Sequence, residues 1–165
     1  MADKATFTPD EWNLLLESVM MAGIAVTAAD PSGLWGMLKE SFASSSALLK
    51  AKGDVAANPL IRAIVNDFET SEGRSAARSG LNAKLKGAQP SEIKARCINA
   101  LQQAAETVEA KAPSDAAAFK GWLYQISQNV AQASNEGGFL GFGGIPVSDA
   151  EKATLGEIST ALRLA

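Results

Sequence analysis

The residues of this chain that could do chemistry gather around one loop near its end. Glu136 precedes the run Gly137-Gly138-Phe139-Leu140-Gly141-Phe142-Gly143-Gly144, and Asp149 and Glu151 follow it. If the loop closes on itself, three carboxylates converge, and such a set of hard oxygen donors suits calcium, magnesium or manganese. The same residues also have a structural reading. Ser148 with Glu151 three positions on is a capping box that opens a helix, and acidic residues in a first turn favour the positive end of the helix dipole. Phe139, Leu140 and Phe142 likewise carry two readings. They could dock on a protein partner or a second copy of the chain, or they could plug the end of a bundle while the glycines supply tight backbone. The loop is no phosphate cradle, because no Lys-Ser/Thr follows it and no strand is expected before it.

A second cluster is basic: Arg74, Arg78, Lys84, Lys86, Lys94 and Arg96, with Glu92 as the one local opposing charge. On a helix, Arg74 and Arg78 lie one turn apart and could hold a phosphate or an acidic partner; the plainer reading is a solvated face. Interleaved aromatic residues, which single-stranded nucleic acid would require, are missing. Cys97 falls on an apolar face with Ile93, Ile98 and Leu101, which predicts a buried structural thiol. Trp12, Trp35 and Trp122 are expected as core anchors.

The absent residue types exclude more. The chain has no histidine and a single cysteine, so a Ser-His-Asp triad, an imidazole metal site, an intrachain disulfide and a thiolate zinc cage are all ruled out within it. A net charge of −3 and an isoelectric point near 5.0 argue against general binding to nucleic acid or to an anionic membrane. The first residues lack an apolar signal region, and the apolar run around Val19 to Val26 is well short of the roughly 20 residues that span a bilayer. A cytoplasmic protein is therefore expected.

Helix signals must position these groups. Thr8, Pro9 and Glu11 make a helix start, after which Trp12, Leu15, Leu16, Val19, Met20 and Ile24 keep helical spacing to about Ala29. Asp30-Pro31-Ser32-Gly33 breaks that run. A second helix is expected from about Leu34, and a third from Asn58-Pro59 with Leu60, Ile61, Ile64, Val65 and Phe68 inward. Residues 71–89 show only a thin pattern, Leu81 and Leu85, and read as a short exposed helix or a mobile linking segment. Pro90-Ser91-Glu92 opens a further helix that Pro113 closes, Ser114 caps the next, and Ser148 opens the last, with Leu155, Ile158 and Leu162 inward. The whole predicts an all-α, single-domain bundle of about six or seven helices.

The two ends of the chain echo each other. A shift of 106 positions sets Leu16 on Trp122, Met20 on Ile126, Ile24 on Val130, Ala25 on Ala131 and Asp30 on Glu136, which is consistent with two related helical halves. At these residues the chain resembles the tellurite-resistance B (TerB)-like helical family, whose pattern is a helix ending Ala-x-x-Ala-Asp-Gly, a short loop, then a Ser/Asp-x-x-Glu helix start. Here the second copy reads Ala131-Gln132-Ala133-Ser134-Asn135-Glu136-Gly137 and, after the loop, Ser148-Asp149-Ala150-Glu151. The first reads Ala25-Val26-Thr27-Ala28-Ala29-Asp30, with Glu40 further along. Glu136 stands where the family has aspartate, and the glycine loop is an insertion. The resemblance implies a non-enzymatic helical protein that binds metal ions through acidic residues, here Asp30, Glu40, Glu136, Asp149 and Glu151, and serves in stress-response assemblies.

The leading expectation is thus a helical binding or scaffolding module with a divalent-cation site. The alternatives are a self-associating module that docks through the Gly137 to Gly144 loop, and an enzyme or small-molecule carrier with a carboxylate-lined pocket between helices.

Overall fold

The computed structural model describes residues 2–29, 58–136 and 147–164. The helix expected from Leu34, the glycine loop, Asp30 and Glu40 lie outside the described residues.

A short 3-10 helix, Lys4–Thr6, leads into α1, Pro9–Thr27. The Thr8 side chain accepts the Glu11 N–H at 3.3 Å while Glu11 accepts the Thr8 N–H at 2.7 Å, so the expected start is a full capping box. Every residue from Leu15 to Thr27 is buried. A helix apolar on all sides belongs at the centre of a fold, and α1 is packed by the helices that follow it. Its two interior hydroxyls turn back on the helix itself: Ser18 donates to the Leu15 carbonyl at 2.7 Å and Thr27 to that of Gly23 at 3.1 Å.

Next comes α2, Pro59–Glu69, capped by Asn58 and burying Leu60, Ile61, Ile64 and Phe68. Thr70 both ends α2 and caps α3, Ser71–Leu85, accepting the Gly73 N–H at 2.9 Å and donating to the Asp67 carbonyl at 2.6 Å. The corner is tight enough that a Cβ at Gly73 would overlap the Asp67 backbone. The thin segment is therefore an ordered helix packed on α1. Its apolar pattern is faint because its buried positions are Gly73 and Ala77, which allow close approach and carry almost no hydrophobic signal.

Helix α4 is Pro90–Lys111 and α5 is Pro113–Glu136. The inward residues of α4 are Cys97, Ala100, Leu101, Ala104, Ala105 and Val108, and those of α5 include Phe119, Trp122, Leu123, Ile126 and Val130. As expected, α4 ends just before Pro113, with Ala112 as its C-cap, but Ser114 does not cap the next helix, because Pro113 already belongs to it. Pro113 is the first residue of α5, where its fixed φ suits a helix start and its missing N–H costs nothing. Ser127 of α5 donates to the Ala22 carbonyl of α1 at 2.7 Å.

The last helix, α6, runs Asp149–Ala161. It ends in a Schellman turn in which Arg163 adopts a left-handed conformation, φ 52°, and the Leu164 N–H reaches the Ser159 carbonyl at 3.0 Å. The four apolar pairs of the 106-position echo, Leu16 and Trp122, Met20 and Ile126, Ile24 and Val130, Ala25 and Ala131, are buried in both copies. Among the described residues the protein is an all-α bundle of six α-helices with no strand, and no helix is long and apolar enough to cross a membrane.

Candidate functional site

The acidic residues near the chain end sit where one helix finishes and another begins. Glu136 is the last residue of α5, and its side chain lies outside the described set. Ser148 caps α6: it accepts the Glu151 N–H at 3.2 Å, and Glu151 accepts the Ser148 N–H at 2.9 Å. Glu151 is buried by this role, whereas Asp149 is fully exposed and lies 3.9 Å from Lys152. The structure thus separates two carboxylates that the sequence groups together, one used as a cap and one open to solvent. Asp30, Glu40, Phe139, Leu140 and Phe142 fall outside the described residues. Among those that are described, no three acidic or thiol side chains converge as a metal site requires.

Close to the start of α6 lies a cleft of about 280 Å³ lined by Ala28, Ala29, Ser91, Lys94, Ala150, Ala153 and Thr154. Lys94 at its edge pairs with Glu157 at 3.0 Å. A larger cleft of about 460 Å³ between α1 and α4 is the carboxylate-lined one, with Glu11 and Glu106 beside Leu14, Gln103 and Lys111. Both carboxylates are engaged: Lys111 meets Glu11 at 2.6 Å and Arg163 meets Glu106 at 2.7 Å. The Lys111 hydrogen bond holds the Glu11 carboxyl below its ordinary pKa, with the capped Thr8 N–H adding to it.

The basic residues bind across helices. Lys84 reaches back to Glu17 of α1 at 2.5 Å, and Arg96 donates to the Lys84 carbonyl at 2.9 Å. Arg74 donates to the Glu69 carbonyl at 2.7 Å, so it closes the C-terminal end of α2, where a cation also suits the dipole. Arg78, one turn on, is exposed. A cleft of about 480 Å³ opens beside Lys84, Arg96, Asn99 and Gln103. Its two cations already face Glu17 and the carbonyls that end α3.

No family model, curated protein or solved structure matches this chain.

Three polar residues that sequence reasoning passed over hold the bundle together. Glu17 is buried in α1 beneath Lys84, and its signal was a carboxylate within an otherwise apolar run. Asp67 accepts from Trp12 Nε1 at 2.6 Å and from Lys4 Nζ at 2.9 Å. Glu109 is shared by Lys120 at 2.6 Å and Arg163 at 2.9 Å, tying α4, α5 and the end of α6. The Lys120 hydrogen bond leads in holding the Glu109 carboxyl below its ordinary pKa. Neither Asp67 nor Glu109 stands in a sequence pattern that names its partner: Lys4, Trp12 and Arg163 come from distant parts of the chain, and Lys120 lies 11 positions from Glu109 on the next helix.

Proposed function

We propose that the chain is a non-enzymatic helical binding or scaffolding module of the TerB-like kind, acting in the cytoplasm in stress-response assemblies and answering divalent cations through acidic residues at the α5–α6 junction. The observation that supports this reading is the order of elements there: α5 ends on Glu136, and α6 starts from a Ser148–Glu151 capping box. A helix ending on an acidic residue and a later helix opened by Ser-x-x-Glu are two parts of the pattern on which the resemblance rests. The interhelical bonds of Glu17, Asp67 and Glu109 suit a rigid platform, which is what a binding module offers a partner.

Thermal unfolding of chelator-treated protein, titrated with calcium, magnesium and manganese, tests the cation reading, since a ligand bound only by the folded state raises Tm. A saturable rise, reduced by Glu136→Gln and by Asp149→Asn, is expected. Asp149→Asn is the cleaner variant because that side chain is exposed, whereas Glu151→Gln also removes a cap. A Tm indifferent to all three ions refutes the cation site.

A further inference from the structure

Two of the basic residues between Arg74 and Arg96 are engaged where they stand: Arg74 closes α2, and Lys94 meets Glu157. Lys84 and Arg96 are placed differently. They stand 12 positions apart, on α3 and α4. The chain turns back between them at Gly87, whose φ of 71° lies in the left-handed region that suits glycine. Both side chains thereby reach one cleft of about 480 Å³, with Ala95, Asn99, Ala100 and Gln103 as its other walls. No carboxylate lines it among the described residues. The two cations are 37% and 41% exposed, so a solute can reach them.

Each of these groups is held by a structural bond and still has donors to give. Lys84 Nζ donates to the buried Glu17 beneath it, and an ammonium carries further N–H groups. Arg96 Nη1 donates to the Lys84 carbonyl at 2.9 Å and to the Lys86 carbonyl at 3.5 Å. Its Nη2 lies 3.8 Å from Glu92, beyond hydrogen-bond length, and Glu92 already accepts the Gln89 N–H at 2.8 Å. The guanidinium is thus anchored through Nη1, while Nη2 and Nε have no acceptor among the described residues. Asn99 Oδ1 accepts from Gln103 Nε2 at 3.0 Å, which leaves Asn99 Nδ2 as another open donor.

We propose that this cleft binds a phosphate monoester of a small molecule. A guanidinium, an ammonium and an amide are three separate donors, and they match the three terminal oxygens of a phosphoryl group better than the two of a planar carboxylate. The cleft falls within the roughly 300–1,000 Å³ of small-molecule sites and is larger than a bare phosphate fills. The Ala95 and Ala100 methyls and the Gln103 amide are left for a small, partly apolar organic body. A net charge of −3 opposes a polyanion, whereas a single phosphate needs only the local pair of cations. The site belongs to α3 and α4 and is independent of the cation reading at the α5–α6 junction.

NMR titration of the nitrogen-labelled protein at pH 7 and constant ionic strength tests the site, with phenyl phosphate, inorganic phosphate and benzoate as probes. Phenyl phosphate is expected to give saturable shifts confined to the amides around Lys84 and from Ala95 to Gln103, with both other probes binding several-fold more weakly. Arg96→Lys keeps the charge but loses the planar fork. Asn99→Ala removes the amide at an exposed helical position where alanine is favoured, so the fold is preserved. Each variant is expected to weaken phenyl phosphate about tenfold, and Arg78→Gln, an exposed cation of α3 outside the cleft, to leave it unchanged. The proposal is overturned by the absence of saturable shifts, by shifts spread over the lysines and arginines of the whole surface, or by equal binding in Arg96→Lys. Benzoate or inorganic phosphate binding as tightly as the ester overturns it as well.

Discussion

Glu17 of α1 occupies the space that a side chain at Gly80 of α3 would need. A Cβ at Gly80 would overlap the Glu17 carboxylate, and Lys84, one turn further along α3, closes over that carboxylate at 2.5 Å. The two positions of α3 act together: the missing side chain makes room for the charge, and the next turn supplies its counter-charge. This is how so polar a helix lies on the apolar central one. Breaking a buried pair by removing one partner is more damaging than never having built it, so the pair fixes the α1–α3 register.

Gly80→Ala tests the fit. In an open helix the change would stabilise by about 1 kcal/mol. Here the overlap reverses the sign, and a loss of about 1–3 kcal/mol is expected, the usual range for overpacking. Glu17→Ala removes the obstacle, so in urea denaturation the double variant should be more stable than the sum of the singles predicts. Additivity within about 0.5 kcal/mol would refute the contact.

Gly121 and Gly156 give the opposite expectation. Both are exposed within helices, and a Cβ at either meets nothing within 4 Å. Gly121→Ala and Gly156→Ala should each stabilise by about 0.5–1 kcal/mol, measured as a higher urea midpoint with an unchanged slope. A loss at either site would mean that its backbone is not regular helix.

The contrast among these glycines shows what the sequence could carry. Capping signals are local, so Thr8-Pro9-Glu11 and Ser148-Asp149-Ala150-Glu151 were legible, as were the apolar faces of α1, α2, α4, α5 and α6. The helix α3 was barely legible because it buries Gly73 and Ala77 and packs by closeness instead of by bulk. Pairings over distance were not legible at all. Lys84 read as one of several cations on a solvated face, because its partner Glu17 stands 67 positions away. Of the candidate site, the cap at Glu151 was foreseen, and so was the burial of Cys97. The separate fates of Asp149 and Glu151 depend on which way a helix turns its first residues, and a spacing of two does not state that.

The Asp67 carboxyl makes stability depend on acid. Desolvation raises its pKa, but the hydrogen bonds from Trp12 and Lys4 outweigh this and hold it below the ordinary 3.8. A carboxyl with a depressed folded-state pKa contributes stability that is fully present above the unfolded value and is lost as pH falls through the folded one. Its share of the loss therefore falls below about pH 4. Trp12→Phe removes the shortest of its hydrogen bonds, 2.6 Å, and should cost about 1.5–3 kcal/mol at pH 7, as for hydrogen bonds to charged groups. Urea midpoints measured from pH 2 to pH 7 should then converge for the two proteins at the acid end. A difference independent of pH would assign the cost to packing alone.

Cys97 offers a way to read the opening of the bundle. It is fully buried in α4, and burial pushes its thiol up to about 12. Only the thiolate attacks a disulfide reagent. At pH 8 the folded protein should therefore label only when the core opens, at a rate that rises with urea in step with unfolding. Gly121→Ala makes the coupling quantitative: a stabilisation of about 0.5–1 kcal/mol should slow labelling about 2–5-fold if the thiol is reached by global unfolding. Labelling that is fast in the folded protein and indifferent to Gly121→Ala would show instead that α4 exposes Cys97 by a local motion, and that the packing of α4 on α1 is looser than the burial of both helices implies.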